Sequence, residues 1–221
     1  VYREEKAGHG RRFRDRFYLS AVQKPSYQFP GKLYAATAEH TQTIPGAGFL
    51  FMLDAQGELL QQVSLHRDQK YHPGGMDFDG QRIWIPVAEY RPHSSTMVMT
   101  FEPNSGQLQD VFEVSDHIGA LICDRDRKQL IGFNWDAEQT YVWDYQGQLI
   151  NKQPTPSRAF DFQDCHYTAS ELAICSGVRL SKGASLLTLG LKYQGGLAMI
   201  DLNSHKITHT IDIDILTKRQ T

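Results

Sequence analysis

Apolar and polar positions in this sequence fall into one pattern, written four times: GFLFMLDAQGELLQQVSL, TMVMTFEPNSGQLQDVFEV, TYVWDYQGQLINKQ and GLAMIDLNSHKITHTIDI. Each copy is an apolar strand that ends on an acidic residue, crosses a turn of the Gln-Gly, Asn-Ser-Gly or Asn-Ser-His kind, and returns as a strand of alternating polarity. The acidic markers Asp54, Glu102, Asp144 and Asp201 stand 48, 42 and 57 residues apart. Recurrence at roughly 40 to 50 residues, with four strands per unit, is the mark of a β-propeller. The predicted class is therefore all-β, a single propeller domain over residues 1–221. Helix is expected at a minimum, because no long run repeats with a helical period.

Upstream of three of the hairpins a second strand pair can be set in register. YHPGGMDFDGQRIWIPVAEY, DHIGALICDRDRKQLIGFNWD and DFQDCHYTASELAICSG each hold an inner apolar strand, a polar turn and a second apolar strand. Aligning Ile83, Leu130 and Leu172 puts His72, His117 and Asp161 in one column, 45 and 44 residues apart. For the first unit DRFYLSAVQ is taken as the second strand in preference to GKLYAATAEH, which leaves an insertion over 24–47 carrying Pro25, Pro30 and Pro45. Three full units and a partial first one fall short of a closed ring, so Val1 to Arg14 and Ile211 to Thr221 are expected to supply the missing strands together. That reasoning predicts five blades, with four or six as alternatives.

In a propeller the innermost strand of each blade starts at one face beside the central channel, and the second strand returns to that face. This geometry gathers His72, His117 and Asp161 at the channel mouth and rings them with Glu89, Tyr90, Arg91, Asn134, Asp136 and Arg179. Two neutral imidazoles and a carboxylate can hold a divalent metal ion; alternatively one imidazole can serve as general base on an ester or lactone, oriented by the carboxylate. The same three can equally hydrogen-bond backbone at the blade junctions. Arg91 and Tyr90 are read as substrate anchors, with an exposed loop fixed by Pro92 as the alternative. His166 aligns with Asp77 and is placed in blade packing, while Asp164 aligns with Gly75 and either faces the channel and binds substrate or caps a turn. The two glycines of HPGG require a close backbone approach, to a neighbouring blade or to a ligand.

Composition narrows the field. A net charge of −2 exerts no global pull toward nucleic acid or anionic lipid, so no nucleic-acid partner is expected; the basic RRFRDRF string is read as a solvated strand edge. No run approaches 18 consecutive apolar residues, so no membrane span is expected. The residues from Val1 show no charged-then-apolar leader, and a signal peptide is expected to lie outside this sequence if the protein is exported. Cys165 and Cys175 flank a hairpin turning at Ala169-Ser170 and either form a bridge, which would favour a secreted or periplasmic location over a cytoplasmic one, or stay as two buried thiols. Cys123 reads as a small core residue. GxGxxG, P-loop, GxSxG, HExxH and paired CxxC strings do not occur, which removes nucleotide binding and the common hydrolase templates.

Taken together, the HPGG, DHIG and QDC strings and GGLAMIDL resemble a family of mostly bacterial propeller proteins in which such motifs open successive units. The resemblance covers roughly Gly48 to Ile213 and implies the propeller fold, with no activity to transfer. More distantly the layout is similar to gluconolactonase-like and strictosidine-synthase-like propellers, which hold a channel metal on carboxylate and Asn ligands. Histidines occupy that region here. The expected function is a small-molecule site at the channel mouth, in a metal-assisted hydrolase of the lactonase or esterase kind. The alternative is a non-catalytic scaffold for a glycan, peptide or protein partner.

Overall fold

A computed structural model describes residues 2–3, 16–23, 46–169, 171–180 and 192–218. The described strands form four antiparallel sheets arranged as the blades of a propeller. The first blade holds β1 (Tyr2–Arg3), β2 (Arg16–Gln23), β3 (Ala47–Asp54) and β4 (Leu59–Ser64). The second holds an inner strand in two pieces, β5 (His72–Pro73) and β6 (Asp77–Phe78), then β7 (Ile83–Ala88), β8 (Thr96–Glu102) and β9 (Gln107–Val114). The third runs through β10 (Ile118–Asp124), β11 (Gln129–Asn134), β12 (Gln139–Asp144) and β13 (Leu149–Pro154). The fourth runs through β14 (Asp161–Ala169), β15 (Leu172–Leu180), β16 (Lys192–Asp201) and β17 (Lys206–Lys218). A 3-10 turn, Trp135–Ala137, is the helical element among the described residues.

The blade count corrects the sequence expectation: there are four blades, not five. The terminal segments do not combine into an extra sheet. Tyr2 and Arg3 pair with Tyr18 and Phe17 and so form the innermost strand of the first blade, whereas β17 pairs with β16 as the outermost strand of the fourth. Each terminus completes its own blade. The strand chosen for the first unit, within DRFYLSAVQ, pairs along its length with β3. The insertion expected over 24–47 lies outside the described residues up to 45, as does most of the basic RRFRDRF string.

Three of the acidic markers cap turn amides, and the fourth, Glu102, accepts the Ser105 hydroxyl. The Asp54 carboxylate accepts the amides of Gln56 and Glu58, Asp144 those of Gln146 and Gln148, and Asp201 that of Ser204. A short side-chain acceptor there satisfies amides the strand ladder no longer uses. Gly57, Gly106 and Gly147 take positive φ in three of these turns, and His205 does so at φ 54° in the fourth, which is the left-handed position a tight return requires.

Between the blades lies the core, and strand alternation decides which side each residue serves. Ile83, Ile85 and Val87 on β7 pack against Tyr18, Leu50 and Leu65 toward the first blade. Trp84, from the opposite face of β7, packs with Leu121, Leu130 and Trp143 of the third. Phe133 and Phe162 meet edge to face, centroids 4.9 Å apart, between the third and fourth blades. Cys165 and Cys175, directly paired in register, form a disulfide, and Cys123 is a buried free thiol.

Candidate functional site

Each of three inner strands carries one extra residue near its start. Opposite Ile85 and Pro86 stand Gly74, Gly75 and Met76; Gly119 interrupts the register between Ile118 and Ala120, and Gln163 does so between Phe162 and Asp164. Such bulges bend a strand and release amides from the ladder. Here those amides cross to other blades: Gly75 N–H donates to Gly119 O at 2.9 Å and Met76 N–H to Asp164 Oδ1 at 3.2 Å. This explains HPGG. A Cβ on Gly74 would lie 2.5 Å from Gly119 O, and one on Gly75 would lie 2.6 Å from Asp164 Cα. The close approach is to neighbouring blades.

Above the bulges opens a cavity of about 260 Å³ lined by His72, Tyr90, His117, Trp135, Asp161 and the bulge residues Gly74, Gly119 and Gln163, with Pro73 and Phe162. The column His72, His117 and Asp161 thus lines one cavity, as the register arithmetic placed it. Four rings close a circuit around it. Centroids are 4.4 Å apart for His72 and Tyr90, 6.1 Å for Tyr90 and Trp135, 4.8 Å for Trp135 and His117, and 5.7 Å for His117 and His72. Gln163 Nε2 donates to Asp161 Oδ2 at 3.0 Å.

His117 is held from behind. Its Nδ1 lies 2.8 Å from Glu89 O and 3.2 Å from Arg91 O, so Nδ1 carries the hydrogen and Nε2 keeps its lone pair in the neutral ring. Burial pushes its pKa down to about 4, against the opposing pull of those carbonyls and of Asp116. The preceding Asp116 fixes the strand entry: its carboxylate accepts from His117 N, Asn134 Nδ2 and the Tyr141 hydroxyl, and its carbonyl from Thr96 Oγ1.

Several of the residues expected to contact substrate have partners within the fold. Glu89 and Arg91 pair with each other, Arg91 Nη2 lying 2.8 Å from Glu89 Oε2, and Ser95 donates to the same carboxylate. Burial pushes the Glu89 carboxyl up, but Ser95 and Arg91 outweigh it and hold it below its ordinary value. Both residues also grip His117 through their carbonyls. Asn134 is buried and bridges Asp116 to Gln139 N–H. Asp136, at φ 57°, is exposed and offers its carbonyl to Arg158. Arg179 pairs with Asp212 over the face of Phe160. Asp164 Oδ2 lies 3.2 Å from His166 Nε2. Trp135 was missed by sequence reasoning, although it directly follows the second strand of its unit, where Asn134 and Asp136 drew the attention.

Among the described residues no three His, Cys, Asp or Glu side chains converge as a metal site, and the Nδ1 of His117 faces carbonyl oxygens. Among them, too, no helix is long and apolar enough to cross a membrane.

A solved structure of hydrazine synthase from Kuenenia stuttgartiensis is similar at 13% identity and a TM-score of 0.45, covering 76% of this chain and 46% of that one. The chain thus spans less than half the length of that relative. No curated protein matches the sequence. Residues 12–220 match a family described as a family of unknown function, DUF6454, and the chain belongs to that family.

Proposed function

We propose that this protein is a small-molecule-binding propeller whose site is the ring-lined mouth of its central channel. One observation carries the reading: His72, Tyr90, His117, Trp135 and Asp161, from three blades, line a single cavity. At about 260 Å³ it lies just under the roughly 300–1,000 Å³ of ordinary ligand pockets, which calls for a compact ligand. The bulged, cross-linked inner strands supply the rigid support that a binding site on loops needs. Binding is favoured over hydrolysis by the state of His117. A general base works best with a pKa near the working pH, and this imidazole is held at about 4, which suits an acceptor of a ligand's hydrogen bond. The disulfide between β14 and β15 supports an exported location for that function.

The test is a thermal-shift panel on the full chain, sorted by chemistry into organic cations, carboxylates, sugars, and lactones or esters, with each hit followed by calorimetry. The expected result is saturable binding in one class that falls at least about tenfold in Trp135→Ala, a loss of about 1.4 kcal/mol. Binding that is unchanged in Trp135→Ala, or turnover of a lactone that survives His117→Gln, would remove the mouth as the site.

A further inference from the structure

The turn that presents Trp135 is built in an unfavourable backbone conformation. Asp136 and Ala137 follow it at φ 57° and 50°, the left-handed region that residues other than glycine rarely enter, and then as single residues. Two in succession persist only where the surroundings hold them, and residues held in this way gather at binding sites. Ala137 is fixed by burial in the cluster between the third and fourth blades. Asp136 is exposed and needs a hold from the solvent side.

Arg158 supplies that hold. Its Nε and Nη2 donate to Asp136 O at 3.2 and 3.0 Å, two donors of one planar fork on a single carbonyl oxygen. The residue stands in the crossover between β13 and β14, which is itself tied down just before it. Thr155 N–H donates to Glu138 O at 3.0 Å, and Ser157 Oγ accepts the amide of Ile207 on β17 at 2.7 Å. The guanidinium therefore extends from an anchored backbone. At the other end of the turn Trp135 N–H donates to His117 O at 3.1 Å, and the indole meets the His117 ring at 78°. A change at Asp136 thus reaches the mouth through one residue.

Resting on the site reading above, we infer that Arg158, which does not line the cavity, is a positioning residue of the mouth: its fork on Asp136 O holds the left-handed turn and so keeps Trp135 against His117. The hold crosses from the entry of the fourth blade to a turn of the third.

The test compares the full chain with Arg158→Ala by nuclear magnetic resonance, with the melting temperature as control. Backbone order parameters at Trp135, Asp136 and Ala137 should fall from about 0.85 to below about 0.6. The His117 ring protons should shift as the indole leaves them, while the melting temperature drops by less than about 4 °C, the size of a small local loss in a chain of this length. Arg158→Lys keeps the charge without the fork and should show the same loss of order; it carries the test if Arg158→Ala does not fold. Glycine adopts positive φ at no steric cost, so in an Asp136→Gly background Arg158→Ala should move the His117 resonances less. Order parameters and His117 resonances that stay unchanged in both Arg158 variants, or an equal shift with and without Asp136→Gly, overturn the role of Arg158. No bound compound enters these measurements, so their failure is distinct from failure of the ligand panel that tests the site itself.

Discussion

His117, at the entry to β10, and His166, on β14, belong to the inner strands of neighbouring blades, and the fold drives their protonation in opposite directions. His117, 3% exposed, stands among rings with its Nδ1 against two backbone carbonyls, and burial holds its pKa near 4. His166 lies between two carboxylates, with Nε2 3.2 Å from Asp164 and Nδ1 3.6 Å from Asp77. Those acceptors raise it to about 9. Carbonyl dipoles can orient an imidazole without offsetting the loss of water around its charged form, whereas paired carboxylates offset it and more. Neighbouring inner strands therefore hold a neutral acceptor and a charged clasp. The clasp is structural: Asp77, fully buried, also accepts the amides of Phe78, Cys123 and Tyr167, tying three blades at one carboxylate.

The sharpest way to break this contrast is to remove that carboxylate. Asp77→Ala strands three amides and the charge on His166, and unfolding in urea should show a loss of about 3 to 5 kcal/mol. An exposed carboxylate such as Glu58, changed to alanine, should cost less than about 1 kcal/mol. Equal losses would mean that the clasp has no special role in holding the blades.

A smaller effect separates the two histidines by pH. The folded pKa of His117 lies below its unfolded value of about 6.5, so its contribution is complete above that pH and is lost as pH falls toward 4, on the order of 3 kcal/mol across the window. His166 is the reverse: its folded pKa lies above the unfolded value, so its stabilisation is complete below about 6.5 and is lost as pH rises through about 9. Its side chain is 35% exposed, so solvent screening makes this alkaline limb shallower. Stability measured from pH 4 to 10 should lose its steep acid limb in His117→Gln and its alkaline decline in His166→Gln. Crossed or absent effects would show the environments to be misassigned.

The parts of this arrangement that follow local rules were legible in the sequence. The aspartate turn caps recur because each serves amides two to four residues away, and the column of His72, His117 and Asp161 follows from counting along paired strands. His166 and Asp77, aligned in one column, prove to be neighbours. Blade number was not legible, since a two-residue inner strand such as Tyr2–Arg3 has no period to read and is defined only by its distant partner Tyr18. The grip of Glu89 and Arg91 on His117 was not legible for a different reason: it is made by backbone carbonyls, which carry no residue signature. Trp135 was passed over because it begins a 3-10 turn in which strand alternation stops. The bulge at Gln163 has no glycine to announce it, unlike those at Gly75 and Gly119.

The most direct test of the opposed environments is a titration of the two imidazoles by nuclear magnetic resonance on the full chain, with resonances assigned from His117→Gln and His166→Gln. The account predicts that at pH 7 His117 is neutral with its hydrogen on Nδ1 and titrates only near pH 4, while His166 is protonated and titrates near 9. Two histidines titrating together close to 6.5 would contradict it.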